Sequence, residues 1–224
     1  MLSLQSIILI VVAYLVGSIP IAYLVGKTVK GIDLRHYGSG NLGGSNVLVH
    51  VGKKWFVVCA GFDFLVKGIL IAILVDRGFD LGASSGLVGL AAVAGHNWSI
   101  YLRFSGGRGL ATAIGVLVVL AWRELVILAV MGIIGRFLLR NTALLFFIGI
   151  VILPFASLFF KEPLAVTIFT TGLLLLTAIK RLTADGNAPV KDIPIQHILI
   201  NRLLYDRDIR DNTAWLNRTP KEPR

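Results

Sequence analysis

SLQSIILIVVAYLVGSIPIAYLV, residues 3–25, decides the class of this chain. The run is long enough to cross a hydrocarbon core of about 30 Å. It is too long for the core of a secretory signal and lacks the basic flank that precedes one, so it reads as a retained membrane helix. The rest of the 224 residues follows suit, being 56% hydrophobic with a mean hydropathy of +0.81. An ordinary soluble domain carries a smaller apolar share.

Apolar segments run from about Leu4 to Gly26, Trp55 to Val75, Leu81 to Leu102, Leu110 to Trp122, Leu125 to Leu139, Ala143 to Phe160 and Leu164 to Ile179. They predict an all-α integral membrane protein of one domain with seven transmembrane helices, joined by short re-entrant or glycine-rich cytoplasmic loops. The fourth segment, at about 1.5 Å per residue, covers roughly 20 Å, so it and the fifth must borrow flanking residues or be partly re-entrant. A polar turn, Thr183 to Asn187, opens a tail from about residue 180, and an amphipathic stretch from Ile195 to Ile209 is suited to the membrane face or to capping the cytoplasmic site.

Charge orients this arrangement. The formal net charge is +10, and residues 27–54, 103–109, 140–142 and 180–224, with Arg136, hold 18 of the 22 Lys and Arg residues. One alternation of seven crossings puts those segments on one face. The positive-inside bias makes that face cytoplasmic, with the N-terminus outside and the C-terminus inside. A basic excess distributed in this way belongs to membrane topology and argues against a nucleic-acid partner. Cys59 is the single cysteine, so neither a disulfide framework nor a thiolate metal site is expected, and no cofactor or metal enters the reading.

Two glycine-dense loops fall on the cytoplasmic side: Gly38-Ser39-Gly40-Asn41-Leu42-Gly43-Gly44-Ser45-Asn46 and Gly106-Gly107-Arg108-Gly109. Glycine with serine, asparagine and arginine frees backbone N–H groups to converge on an oxyanion. The second loop also leads into a helix near Leu110, where dipole and guanidinium act together. The alternative is a pair of flexible connectors obeying the positive-inside rule. His96, in Gly95-His96-Asn97-Trp98, either donates to a neighbouring carbonyl or serves the site. Asp63 and Lys67, at i and i+4, suit a buried structural pair. A transporter is disfavoured because no repeat is visible and both loops sit at one face.

Gly17-Ser18-Ile19-Pro20-Ile21-Ala22-Tyr23-Leu24-Val25-Gly26-Lys27, the stretch Asp33 to Asn46, and Gly95 to Gly115 resemble, in that order, the opening helix and two loop motifs of the bacterial membrane acyl-phosphate:glycerol-3-phosphate acyltransferase (PlsY) family. The resemblance implies a multi-pass enzyme of the bacterial inner membrane. Its expected partners are acyl phosphate, glycerol 3-phosphate and membrane lipids, and its products are lysophosphatidic acid and phosphate. The histidines are followed five positions later by Asn41, Trp55, Tyr101 and Arg202, not by aspartate, which separates the chain from the other glycerol-phosphate acyltransferase class. On this resemblance Ser39, Arg108 and His197 are catalytic. Gly38, Gly40, Asn41, Gly43, Gly44, Ser45, Asn46, His96, Gly106, Gly107, Gly109 and Asn201 bind substrate.

By the same resemblance the chain looks like a divergent member. The arginine ten positions after the first-loop serine is Val49 here, beside His50, and the second-loop lysine is Arg108. Aligning Arg202-Leu203-Leu204 with the third motif puts Gln196 and Leu199 at its histidine and asparagine positions, Asp206 in place of a glycine and Asp208 in place of a glutamate. His197 and Asn201 lie close by, out of register. The Asp63/Lys67 spacing is one residue wider than the family's. Two readings follow: an active acyltransferase, or a degenerate paralogue that binds lipid or glycerol phosphates or acylates another alcohol.

Overall fold

Proline sets the first break in the chain. Helix α1 (Leu4–Gly17) ends at Ser18, and α2 (Ile21–Lys30) begins after Pro20, whose ring disfavours helix at the residue before it. The computed structural model describes residues 2–79, 81–183 and 194–208, and among these no strand forms. A short helix α3 (Gly44–His50) lies between the first span and a long rod made of α4 (Lys53–Phe62), a π-helical segment Asp63–Leu70, and α5 (Ile71–Gly78). Then come α6 (Ser84–Asn97), α7 (Leu110–Leu120), α8 (Trp122–Phe137), α9 (Thr142–Phe159), α10 (Leu164–Leu182) and α11 (Ile195–Tyr205).

Among the described residues, four stretches are long and apolar enough to cross a membrane: Leu4–Lys30, Lys53–Gly78, Thr142–Phe159 and Leu164–Leu182. The other three apolar segments of the sequence are helical but shorter, with 14, 11 and 16 residues in α6, α7 and α8. At 1.5 Å per residue they reach only about 17–24 Å. The third segment is shortest relative to expectation, because α6 stops at Asn97 and the chain turns through Ile100–Leu102. The amphipathic tail stretch is helical as far as Tyr205, where Asp206 adopts a left-handed conformation (φ 57°), and the expected polar turn beyond Thr183 lies outside the described residues.

Small residues let the helix backbones touch, the packing device of membrane bundles. A Cβ on Gly17 would strike the Ala92 carbonyl and one on Gly95 the Tyr14 carbonyl, which seats α1 on α6. Gly68 and Gly115 do the same between the π segment and α7. Val93, Val116, Leu117, Leu128, Leu153, Phe169 and Leu173 form the buried interior. Phe137, Phe155, Leu158 and Phe159 face outward, as a lipid-solvated surface allows.

The π segment explains the wide Asp63/Lys67 spacing. One extra residue in an α-helix rotates everything beyond it by about 100°, whereas a π turn takes up the extra residue within a wider loop. Both side chains therefore stay inward, 4% and 2% exposed as residues, with Lys67 Nζ 2.8 Å from Asp63 Oδ1.

Candidate active site

The first glycine loop is wrapped around one asparagine. Asn46, buried at the start of α3, donates from Nδ2 to the carbonyls of Leu34, Tyr37 and Asn41 at 3.0–3.1 Å. Gly38 and Gly40 turn the chain with φ of 51° and 69°, a region open to glycine at little cost. Between them Ser39 is nearly buried, and its Oγ accepts from the Asn41 backbone N–H (3.2 Å). That bond leaves the hydroxyl proton available.

Upstream, Asp33 caps the short turn Leu34–His36 and grips Arg35, which donates to it from Nε (3.0 and 3.2 Å) and NH2 (2.6 Å). Burial works against the Asp33 carboxylate, but hydrogen bonds and charge from Arg35 prevail and hold its pKa below the usual range. The same pairing raises the Arg35 guanidinium. The Arg35 guanidinium also lies 5.3 Å from the Tyr23 ring centre.

The second loop rests on a buried polar stack. Gly107 N–H donates to the His96 carbonyl (3.0 Å), and the His96 imidazole occupies the place a Gly107 side chain would take. His96 Nδ1 in turn lies 3.4 Å from Asp63 Oδ1 and 3.4 Å from Lys67 Nζ. His96, Asp63, Lys67 and Gly107 line a small inner cavity of about 10 Å³. A Cβ on Gly106 would strike the carbonyls of His96 and Asn97. Gly109, at φ 69°, starts α7.

The two loops meet. Arg35, Ser39, Gly40 and Asn41 from the first, Ser105, Gly106 and Arg108 from the second, and Lys180 from the last turn of α10 line one cleft of about 50 Å³. Arg108 donates from NH1 to the Lys180 carbonyl (3.0 Å), and its Nε lies 2.8 and 3.1 Å from the Asp206 carboxylate oxygens. The Lys180 ammonium sits 5.4 Å from the Trp98 ring centre. Three cations and two glycine-lined backbones therefore face one space, an arrangement suited to phosphate oxygens.

Of the residues singled out in the sequence, Ser39, Gly40, Asn41, Gly106 and Arg108 line this cleft, and His96 and Gly107 line the inner cavity behind it. Gly38 shapes the turn, Asn46 clamps the loop, and Gly43, Gly44, Ser45 and Gly109 begin α3 and α7 without reaching the cleft. His197 and Asn201 are not among the residues that line the cleft. His197 is exposed on α11 and does not line the cleft, while Asn201 Nδ2 donates to the Asp208 carbonyl (3.2 Å). Both belong to a helix whose docking face is set by Ile198 (1% exposed), one residue past the histidine.

Val49, at the position of the family's arginine, is 47% exposed on α3. Its neighbour His50 stacks edge-on against Tyr37 at 5.7 Å, and burial lowers its pKa. Neither lines the cleft. Sequence reasoning missed Arg35, Ser105 and Lys180. Arg35 stood within the quoted Asp33 to Asn46 stretch, whereas Lys180 reads locally as a helix-end cation and reaches the site only through the packing of α10.

The family model described as "Glycerol-3-phosphate acyltransferase" matches residues 7–184. "Glycerol-3-phosphate acyltransferase 5" of Dehalococcoides mccartyi is 37% identical, covering 97% of this chain and 95% of the relative. "Glycerol-3-phosphate acyltransferase 2" of Moorella thermoacetica is 40% identical over 72% of this chain and 82% of the relative. Among solved structures, the crystal structure of PlsY (YgiH), an integral membrane glycerol 3-phosphate acyltransferase, in its glycerol 3-phosphate form superposes with a TM-score of 0.74 at 29% identity, over 94% of this chain and 97% of that one.

Proposed function

We propose, on the premise that the chain belongs to the glycerol-3-phosphate acyltransferase family, that the cleft between its two glycine loops is where glycerol 3-phosphate meets an acyl phosphate. The protein is a multi-pass membrane acyltransferase that acylates glycerol 3-phosphate for phospholipid synthesis. Its donor is acyl phosphate, and its products are lysophosphatidic acid and inorganic phosphate.

One observation carries this reading: Arg35, Arg108 and Lys180 converge with both glycine loops and Ser39 on a single cleft. In the reaction the glycerol 1-hydroxyl oxygen attacks the acyl carbonyl carbon, the carbonyl-to-phosphate C–O bond breaks, and phosphate departs with that bond's electrons. No carboxylate or imidazole is among the described residues lining the cleft, which supports a step in which the departing phosphate takes the hydroxyl proton. The acyl carbon is already activated. The chain therefore contributes alignment and charge stabilisation, through Ser39 and the loop N–H groups at the reacting carbonyl and the three cations at the phosphates.

The fold is taken as one membrane domain with seven crossings in the bacterial inner membrane, α6, α7 and α8 being short ones. The N-terminus lies outside, and both glycine loops and the C-terminus lie in the cytoplasm. The charge distribution and the shared cleft support this orientation. Purified protein is expected to convert glycerol 3-phosphate to its 1-acyl ester when given an acyl phosphate. A rate no higher than that of a Ser39→Ala control would refute the proposal.

A further inference from the structure

We propose that Asp206, just past the end of α11, is a positioning residue for Arg108, and that this ion pair sets the aim of a cation lining the cleft. The proposal rests on the reading of the cleft as a phosphate seat.

A guanidinium is planar, so fixing two of its donors fixes the direction of the others. Arg108 is held in this way, with Nε on the Asp206 carboxylate and NH1 on the Lys180 carbonyl. Its long stem starts from a glycine-rich loop, Gly106 to Gly109, which offers little packing of its own, so the two anchors set its aim. The contact links positions 98 apart in sequence.

The anchor itself stands on a fastened platform. Arg181 donates from NH1 to the Leu203 and Leu204 carbonyls (2.7 and 3.3 Å) and from NH2 to the Ala143 carbonyl (2.9 Å), tying the end of α11 to α9 and α10. Arg202 pairs with Asp208 at 2.5 Å and donates to the Leu182 carbonyl at 3.2 Å. Asp206 lies between these two clamps. It takes φ 57°, where a side chain is disfavoured and glycine fits best, yet it carries a carboxylate aimed at Arg108.

The opposite assignment, in which Asp206 occupies the seat and competes with substrate, makes the reverse prediction for affinity. Removing a competitor lowers KM; removing an anchor raises it.

Kinetics with both substrates decide the matter, using purified Asp206→Asn, Asp206→Glu, Asp206→Gly, Arg108→Lys, Arg108→Ala and the double variant Arg108→Lys/Asp206→Gly. With Asp206→Asn, KM for the phosphate substrate that Arg108 holds rises about tenfold, the loss expected for one charge-assisted hydrogen bond, while kcat changes less. Asp206→Glu recovers part of the loss. A lysine is a compact charge that needs no edge anchor, so the double variant loses less than the two single changes combined. Melting temperatures in detergent separate these effects from unfolding, and where Asp206→Gly is unstable the comparison of Asp206→Asn with Asp206→Glu carries the test. Unchanged or lowered KM values in Asp206→Asn, or strictly additive losses in the double variant, overturn the assignment. If Arg108→Ala leaves both KM values and kcat intact, the phosphate-seat reading itself fails.

Discussion

Replacing Gly107 with alanine tests whether the second loop is held by the ring beneath it. An added Cβ overlaps His96 Nε2 and comes within 2.9 and 3.0 Å of the ring carbons Cδ2 and Cε1. Unstrained contacts between such atoms lie near 3.5 Å. The ring has little room to yield, since its side chain is 7% exposed and its Nδ1 lies 3.4 Å from both Asp63 and Lys67. The loop must therefore lift by roughly 1 Å, moving Gly106 and Arg108 in the cleft, and a misplacement of that size costs on the order of a hundredfold in rate. We expect kcat for acyl transfer from acyl phosphate to glycerol 3-phosphate to fall by about that factor, equivalent to about 2.7 kcal/mol in the barrier. In a His96→Ala background, where the obstacle is gone, the same glycine change should cost less than about tenfold. An equal factor in both backgrounds, or full activity of the single variant, would refute the reasoning.

Asp63→Asn leaves the Lys67 ammonium buried without its carboxylate and is expected to destabilise the protein by about 3–5 kcal/mol, whereas Asp63→Leu with Lys67→Met costs far less, as thermal unfolding in detergent will show. Asp33→Asn frees Arg35 on the cleft rim; because Arg35 is a third exposed, we expect a loss near 1 kcal/mol, seen as a severalfold rise in the KM of one phosphate substrate. The His50 pKa is lowered by burial, so its contribution to stability is present above the ordinary imidazole value and is lost as pH falls through its lowered folded value. The melting temperature of His50→Phe should accordingly fall less than that of the natural protein between pH 7.5 and 5. His197→Ala, on the exposed side of α11, should leave kcat and KM within about twofold of the natural protein, in keeping with surface substitutions generally.

Helical class was plain in the sequence because long apolar runs leave the backbone no other partner in lipid. The ends of the helices were less plain. Nothing local in Leu81 to Leu102 announces a stop at Asn97; the stop follows from the inward turn that brings Ser99 Oγ within 2.5 Å of the Ser18 carbonyl. At the site, glycine content singled out the two loops that meet at the cleft, the composition expected of an anion cradle. What could not be read locally was closure. Lys180 arrives from α10, and Arg108 and Asp206, two departures from the pattern the chain resembles, face each other across 98 positions. Asn46 also shows a limit of reading by residue type, because an amide suited to phosphate is spent on three loop carbonyls.

The π turn from Asp63 to Leu70 gives the long rod a place where length and phase are decoupled. The N-terminal half keeps its register against α2 and α3, the C-terminal half keeps its register against α6 and α7, and the surplus residue is stored between them. Excising one of Phe64, Leu65 or Val66 should therefore tighten that coil into an ordinary α-helical turn, with Gly68 still seated on Gly115, whereas an excision elsewhere in the rod would turn one half's buried face toward lipid. A protein lacking one of those residues is expected to keep its melting temperature closer to the natural value than one with a residue excised elsewhere in the rod.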